Sequence, residues 1–132
     1  MGLATGKKSD SGSVMVEFAL VSMILILLLV GIIEFGLIFN TQLTLQNAAR
    51  DGARFTAIPS TISESVIKAY IINSASTLHL NASQITLNPA VTGMRRGQPF
   101  TVTINYPYQV PVTFGVLPAS LNLTAATVMM KE

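Results

Sequence analysis

Glu17 and Glu34 are the residues whose placement asks for chemistry. They flank residues 18–33, which carry no charge and are almost all Leu, Ile, Val, Met and Phe. A carboxylate inside such a run is costly in a bilayer, about 2.5–3.5 kcal/mol at the helix centre and less near an end. A cation about 4 Å away offsets this by on the order of 4 kcal/mol at an effective dielectric of 20, before desolvation. Residues 14–39 hold no cation of their own. The partner of Glu17 is then another chain, a lipid headgroup or a newly made amino terminus. The plain alternative is that Glu17 snorkels to the headgroups. Glu34, at the other end of the run, reads plainly as a carboxylate at the outer headgroup level. Its functional reading is an intersubunit pair with Arg50 or Arg54 of a staggered neighbour.

The element that must position these groups is one long helix. Residues 14–39 are long enough and apolar enough to cross a bilayer, which takes about 20 residues. No Pro interrupts them, so the backbone can close its hydrogen bonds within the helix, as lipid requires. The helical pattern continues through residues 40–57, where Leu45, Ala48, Ala49, Gly52, Ala53 and Phe55 form a rough stripe. Pro59 ends it. A helix over residues 14–57 would be roughly 66 Å long at 1.5 Å per residue. Ala48-x-x-x-Gly52 and Ala49-x-x-x-Ala53 put small residues on one face, where another backbone can approach closely. That other backbone is either the chain's own domain or a neighbour.

Composition bounds the remainder. Of 132 residues half are hydrophobic and 11% are charged, well below the roughly 25% usual in soluble domains. About 90 residues follow the apolar run, room for one small core. The net charge of +2 is dispersed and does not suggest nucleic acid. With no cysteine there is no disulfide framework and no thiolate chemistry. Residues 1–12 are polar and rich in Gly and Ser, a cytoplasmic leader in this reading. Lys7 and Lys8 precede the span, whereas the first basic residue after it is Arg50. The positive-inside rule then places the N-terminus in the cytoplasm and the C-terminal bulk outside. The run is longer than a secretory h-region and ends in GIIEFG without a small-x-small cleavage site. Gly6 stands where a myristoylation signal wants Ser or Thr.

A second, amphipathic helix is predicted over residues 62–78. Thr61 and Glu64 fit a capping box. Ile62, Val66, Ile67, Tyr70, Ile71, Ala75 and Leu78 form its apolar face, to be packed on a sheet. Ile85 and Leu87 mark one strand. Phe100, Val102, Ile104 and Tyr106 alternate with Thr101, Thr103 and Asn105, the clearest period-two signal in the chain. Leu121, Leu123 and Ala125 lead through residues 128–130 as the last strand. Between them, Pro107, Pro111 and Pro118 allow only an edge strand or an irregular crossing.

No catalytic constellation is present: no Walker A loop, GxGxxG, HExxH or nucleophile elbow. His79 is the only histidine and has no acid near it in sequence, so it makes neither a metal site nor a triad. Arg95 and Arg96 read as the charged tip of a hairpin, or as a contact for an acidic partner. Arg50, Asp51 and Arg54 are either a solvated helix face or part of an interface. Two segments, Asn81-Ala82-Ser83 and Asn122-Leu123-Thr124, match the N-glycosylation pattern, which is common by chance.

Gly12-Ser13-Val14-Met15-Val16-Glu17-Phe18 resembles the processing site of type IV pilin precursors. The resemblance implies cleavage after Gly12 by a membrane aspartyl prepilin peptidase, with Ser13 as the new first residue and Glu17 the fifth. It also implies that Glu17 pairs with the new amine of a neighbouring pilin. Ser13 departs from the Phe that type IV pilins often carry there. Over residues 12–54, the same start followed by Glu34-Phe35-Gly36 and by NAARDGAR is similar to the TadE-like proteins. These are pseudopilins of the tight-adherence (Flp) pilus systems of bacteria and archaea. The fold expected is α+β: a transmembrane helix, then a small domain with one amphipathic helix on a three- to four-stranded antiparallel sheet. The divisions are a leader at 1–12, the pilin-like helix at 13–57 with its span at about 14–39, and an extracytoplasmic domain at 58–132. The expected function is that of a minor, non-enzymatic pseudopilin of a Flp/Tad assembly or secretion apparatus in the cytoplasmic membrane. Gly12 and Ser13 would form its processing site, and Glu17, Phe18, Glu34, Arg50 and Arg54 its assembly contacts. Its partners would be the membrane, the prepilin peptidase and other pilins or pseudopilins, with no cofactor, metal or nucleic acid. The alternative is an uncleaved single-span accessory protein that binds a partner through its outer domain.

Overall fold

A computed structural model describes residues 11–58, 62–91, 94–111 and 119–132. The leader's residues 1–10, including Lys7 and Lys8, lie outside the described residues, as do Pro59, Thr61 and Pro118. The chain divides into two compact units, Met1–Phe35 and Gly36–Glu132. Helix α1 spans Ser11–Ala57 without a break. It is long and apolar enough to cross a membrane. In the first unit its large side chains from Val14 through Ile33, Val30 apart, are exposed.

The second unit is an α+β domain that begins inside α1. Its sheet has three antiparallel strands in the order β1-β2-β3: β1 Ile85–Asn88, β2 Pro99–Gln109 and β3 Ser120–Met130. Alternation sorts their side chains by face. Ile85, Leu87, Phe100, Val102, Ile104, Leu123 and Ala125 point into the core, joined there by Leu45, Ala48, Ala49, Ala53 and Ala57 of α1. Two hydrogen bonds set the course of α1 along β3. Gln42 Nε2 donates to the Thr124 carbonyl at 2.9 Å, and Lys131 Nζ donates to the Thr56 carbonyl at 2.8 Å. The helix rises about 21 Å between these anchors at 1.5 Å per residue, and the strand about 23 Å at 3.3 Å per residue. Helix and strand therefore keep pace with each other.

Thr56 and Thr41 are buried although polar. Each turns its hydroxyl back on its own helix: Thr56 Oγ1 donates to the Gly52 carbonyl at 2.7 Å and Thr41 Oγ1 to the Leu37 carbonyl at 2.9 Å. With the hydroxyl satisfied, the side chain packs as a small apolar group. The end of α1 is closed from the last strand. Lys131 Nζ also donates to the Ile58 carbonyl at 2.6 Å, and the Glu132 amide donates to the Ala57 carbonyl at 3.1 Å. A cation and an amide thus serve carbonyls that the helix leaves without partners.

Helix α2 spans Glu64–Ser74 and is shorter than residues 62–78. Its N-cap is Ser63, which makes no side-chain cap bond, and the expected Thr61 box lies outside the described residues. Beyond Ala75 the chain tightens into a 3₁₀ turn, Ser76–Leu78, and His79 is left-handed at φ 46°. Ile67, Ile71 and Ala75 are buried, as the apolar face requires. Val66 and Tyr70 are exposed instead, because the buried stripe is a single i, i+4, i+8 row. Tyr70 stacks on Phe55 of α1 with ring centroids 4.3 Å apart. The strand corrections are smaller. β2 runs through Pro107 to Gln109 rather than stopping at Tyr106. β1 pairs only as far as Ile104, so beyond it one edge of β2 faces no strand among the described residues. A missing N–H on that edge costs no ladder bond.

Gly52 is the point where α2 meets α1. A Cβ built there would collide with Cγ1 of Ile71 and lie 2.6 Å from its Cδ1. At Gly36 an added Cβ would meet nothing within 4 Å. Gly52→Ala should therefore lower stability by about 1–3 kcal/mol through overpacking. Gly36→Ala should stay within about 1 kcal/mol of the parent, by helix propensity alone. Denaturant unfolding of the detergent-solubilised chain measures both, and equal effects would contradict the assigned contact.

Candidate functional site

The residues expected to carry function all sit on α1. Gly12 and Ser13 lie in its first turn, where an added Cβ at Gly12 would meet nothing within 4 Å. Val14, Met15, Val16 and Phe18 surround Glu17 and are all exposed, Phe18 at 73%. Glu17 is exposed as well. Among the described residues the ion pair formed is Glu64 with Lys68, 2.8 Å apart and one helical turn along α2. Glu17 has none. The helix thus displays a single carboxylate within an apolar surface and supplies it with no cation.

Glu34 is only 4% exposed. Its Oε2 is buried without a hydrogen-bond partner, as is Oε1 of Gln42. Between Glu17 and Glu34 the helix rises about 26 Å, close to the roughly 30 Å of a hydrocarbon core. The two acids therefore still bracket one bilayer thickness. Sequence reasoning had no signal for the burial of Glu34, since its neighbours on α1 are as apolar as those of Glu17.

Arg50, Asp51 and Arg54 are exposed on the side of α1 opposite its buried stripe. The small residues at 48, 49, 52 and 53 are consumed by the chain's own domain, which is the plainer of their two readings. Arg95 and Arg96 are exposed in a turn where the Gln98 amide donates to the Arg95 carbonyl at 3.1 Å, with Gly97 at φ 77°. His79 is exposed. Among the described residues no group of His, Asp and Glu is placed to hold a metal ion. The N-glycosylation patterns fall at the start of a 3₁₀ turn, Ala82–Gln84, and within β3.

Replacing Glu34 tests its lack of a partner. A buried acceptor left unbonded costs about 1–3 kcal/mol. Glu34→Leu should raise the thermal stability of the solubilised chain, and a fall would mean that the carboxylate is satisfied by a partner.

No curated protein and no solved structure matches the chain. Residues 12–54, about a third of the chain, match the model of the family described as TadE-like protein. The match ends at Arg54, inside α1, and so covers both acids and the small-residue stripe. Through this helix the chain is similar to the TadE-like proteins, a family that suggests a Flp/Tad pilus-associated component.

Proposed function

We propose that this protein is a minor pseudopilin of a Flp/Tad assembly apparatus, a structural component rather than an enzyme. In this reading the leader lies in the cytoplasm and a prepilin peptidase cuts after Gly12. The cut creates an amine at Ser13. Glu17 then meets the Ser13 amine of a neighbouring pilin or pseudopilin and fixes the register of the two helices, with Phe18 against the neighbour's apolar surface. The observation that carries this reading is Glu17, exposed within an otherwise apolar helix surface, without an ion-pair partner among the described residues and five residues beyond Gly12. An acid so placed is unfavourable in lipid until a cation joins it, so pairing and assembly are coupled. The TadE-like match over the same residues supports it.

A second reading, an uncleaved single-span accessory protein, draws on one residue. Ser13 stands where pilins often carry Phe, and the outer domain has its own core with which to bind a partner.

Glu17→Ala separates assembly from anchoring. The variant should insert into the membrane at least as well as the parent. Its recovery in sheared pili, or in cross-linked complexes with other pilins, should fall at least tenfold, equivalent to about 1.4 kcal/mol of pairing. Undiminished incorporation would count against the proposed role of Glu17.

A further inference from the structure

We propose that the end of the Gly36–Glu132 unit where α1 finishes is a docking surface for a partner-protein segment that mixes acidic and apolar side chains. The unit's charges are Arg50, Asp51, Arg54, Glu64, Lys68, Arg95, Arg96, Lys131 and Glu132. Glu64 and Lys68 neutralise each other on α2. The rest collect at one end. Arg50, Asp51 and Arg54 lie in the final two turns of α1. Lys131 and Glu132 are bonded to the last carbonyls of that helix. The turn holding Arg95 and Arg96 is tied to the same place: the Gly97 amide donates to the Lys131 carbonyl at 2.7 Å, and the Lys131 amide to that of Gln98 at 3.0 Å.

Lys131 is spent on α1, where it offsets the negative end of the helix dipole. The arginines therefore act without that opposing field. Arg50 and Arg54 line one groove with Asp51 and Glu132, and no arginine has an ion-pair partner among the described residues. Arg50 and Arg54 are one turn apart on the same side of the helix. Guanidinium groups bind carboxylates through two parallel hydrogen bonds, so this pair suits acidic side chains.

A groove of about 600 Å³ runs between these charges. Arg50, Arg54, Asp51 and Glu132 line it, and so do Ile58 and Met129. Ile58 is 47% exposed. The apolar contribution selects the class of partner. A polysulfated or phosphate-rich polymer has nothing to set against Ile58 and Met129. A peptide with alternating acids and apolar side chains sets its acids against the arginines and its apolar side chains against Ile58 and Met129. This surface does not depend on whether the chain is cut after Gly12.

The test uses the full chain in lipid nanodiscs and a short synthetic peptide alternating Glu and Leu. Its Gln–Leu counterpart and heparin serve as competing probes. The Glu–Leu peptide should bind, more weakly as salt rises. Its Kd should rise at least tenfold in the double variant Arg50→Gln, Arg54→Gln and likewise in Ile58→Asp. Lys68→Gln, which touches only the separate ion pair, should leave it unchanged. Equal binding of the Gln–Leu peptide, or a Kd indifferent to the arginine and Ile58 variants, would overturn the proposal. So would heparin binding that survives Ile58→Asp while the peptide fails to bind, since the surface would then be a site for polyanions.

Discussion

One helix in this protein is built for two surroundings, and the rest of the fold follows from the change between them. Over residues 18–33 α1 carries only uncharged, almost entirely apolar side chains. From Thr41 onward only one stripe is buried, and its members are small: Ala48, Ala49, Gly52, Ala53 and Ala57, with Leu45 as the one large side chain. Small residues let a sheet and a second helix come close to the α1 backbone, and at Gly52 even a methyl group is too much. The packing lost by having so few side-chain atoms on α1 is recovered by large partners. Phe100, Val102, Ile104, Ile67 and Ile71 bring the volume to the contact.

The same contact explains how the end of the chain is used. β3 keeps pace with α1 from Gln42 to Thr56 and then delivers Lys131 to the final carbonyls of the helix. That lysine could have been one more solvated charge in a basic group. Its hydrogen bonds make it part of the fold and leave the arginines around it to face outward. Structural and interactive charges are thus sorted within a few residues of one another.

Much of this was legible in the sequence, for identifiable reasons. The apolar run, the period-two alternation at residues 100–106 and the small-residue spacing at 48–53 each follow from one local periodicity, and each appears in the structure. What was not legible depended on distant contacts. Val66 and Tyr70 satisfy the helical period as well as Ile67 and Ile71 do, and only the position of α1 decides which row is buried. Pro107 reads as a strand breaker until β1 proves too short to reach its side of β2. Thr56 reads as polar because nothing in the sequence says that its hydroxyl turns back on Gly52. Glu34 and Glu17 look alike as acids at the ends of one apolar run, yet one is buried and the other exposed. Of the candidate site, Glu17 stands out by its place in the apolar run, whereas Gly12 is picked out only through the resemblance to pilin precursors. The gathering of charge around Lys131 could not, because it joins residues 50, 95 and 131.

The proposed role of Glu17 requires that its exposed carboxylate meet an amine that appears only when the leader is removed. Intact-mass measurement of the protein from membranes, in cells with and without the prepilin peptidase, addresses it directly. A chain beginning at Ser13 is expected when the peptidase is present and a chain retaining Lys7 and Lys8 when it is absent. A chain that keeps both lysines in either cell would contradict it, leaving Glu17 without its cation and α1 as a plain anchor.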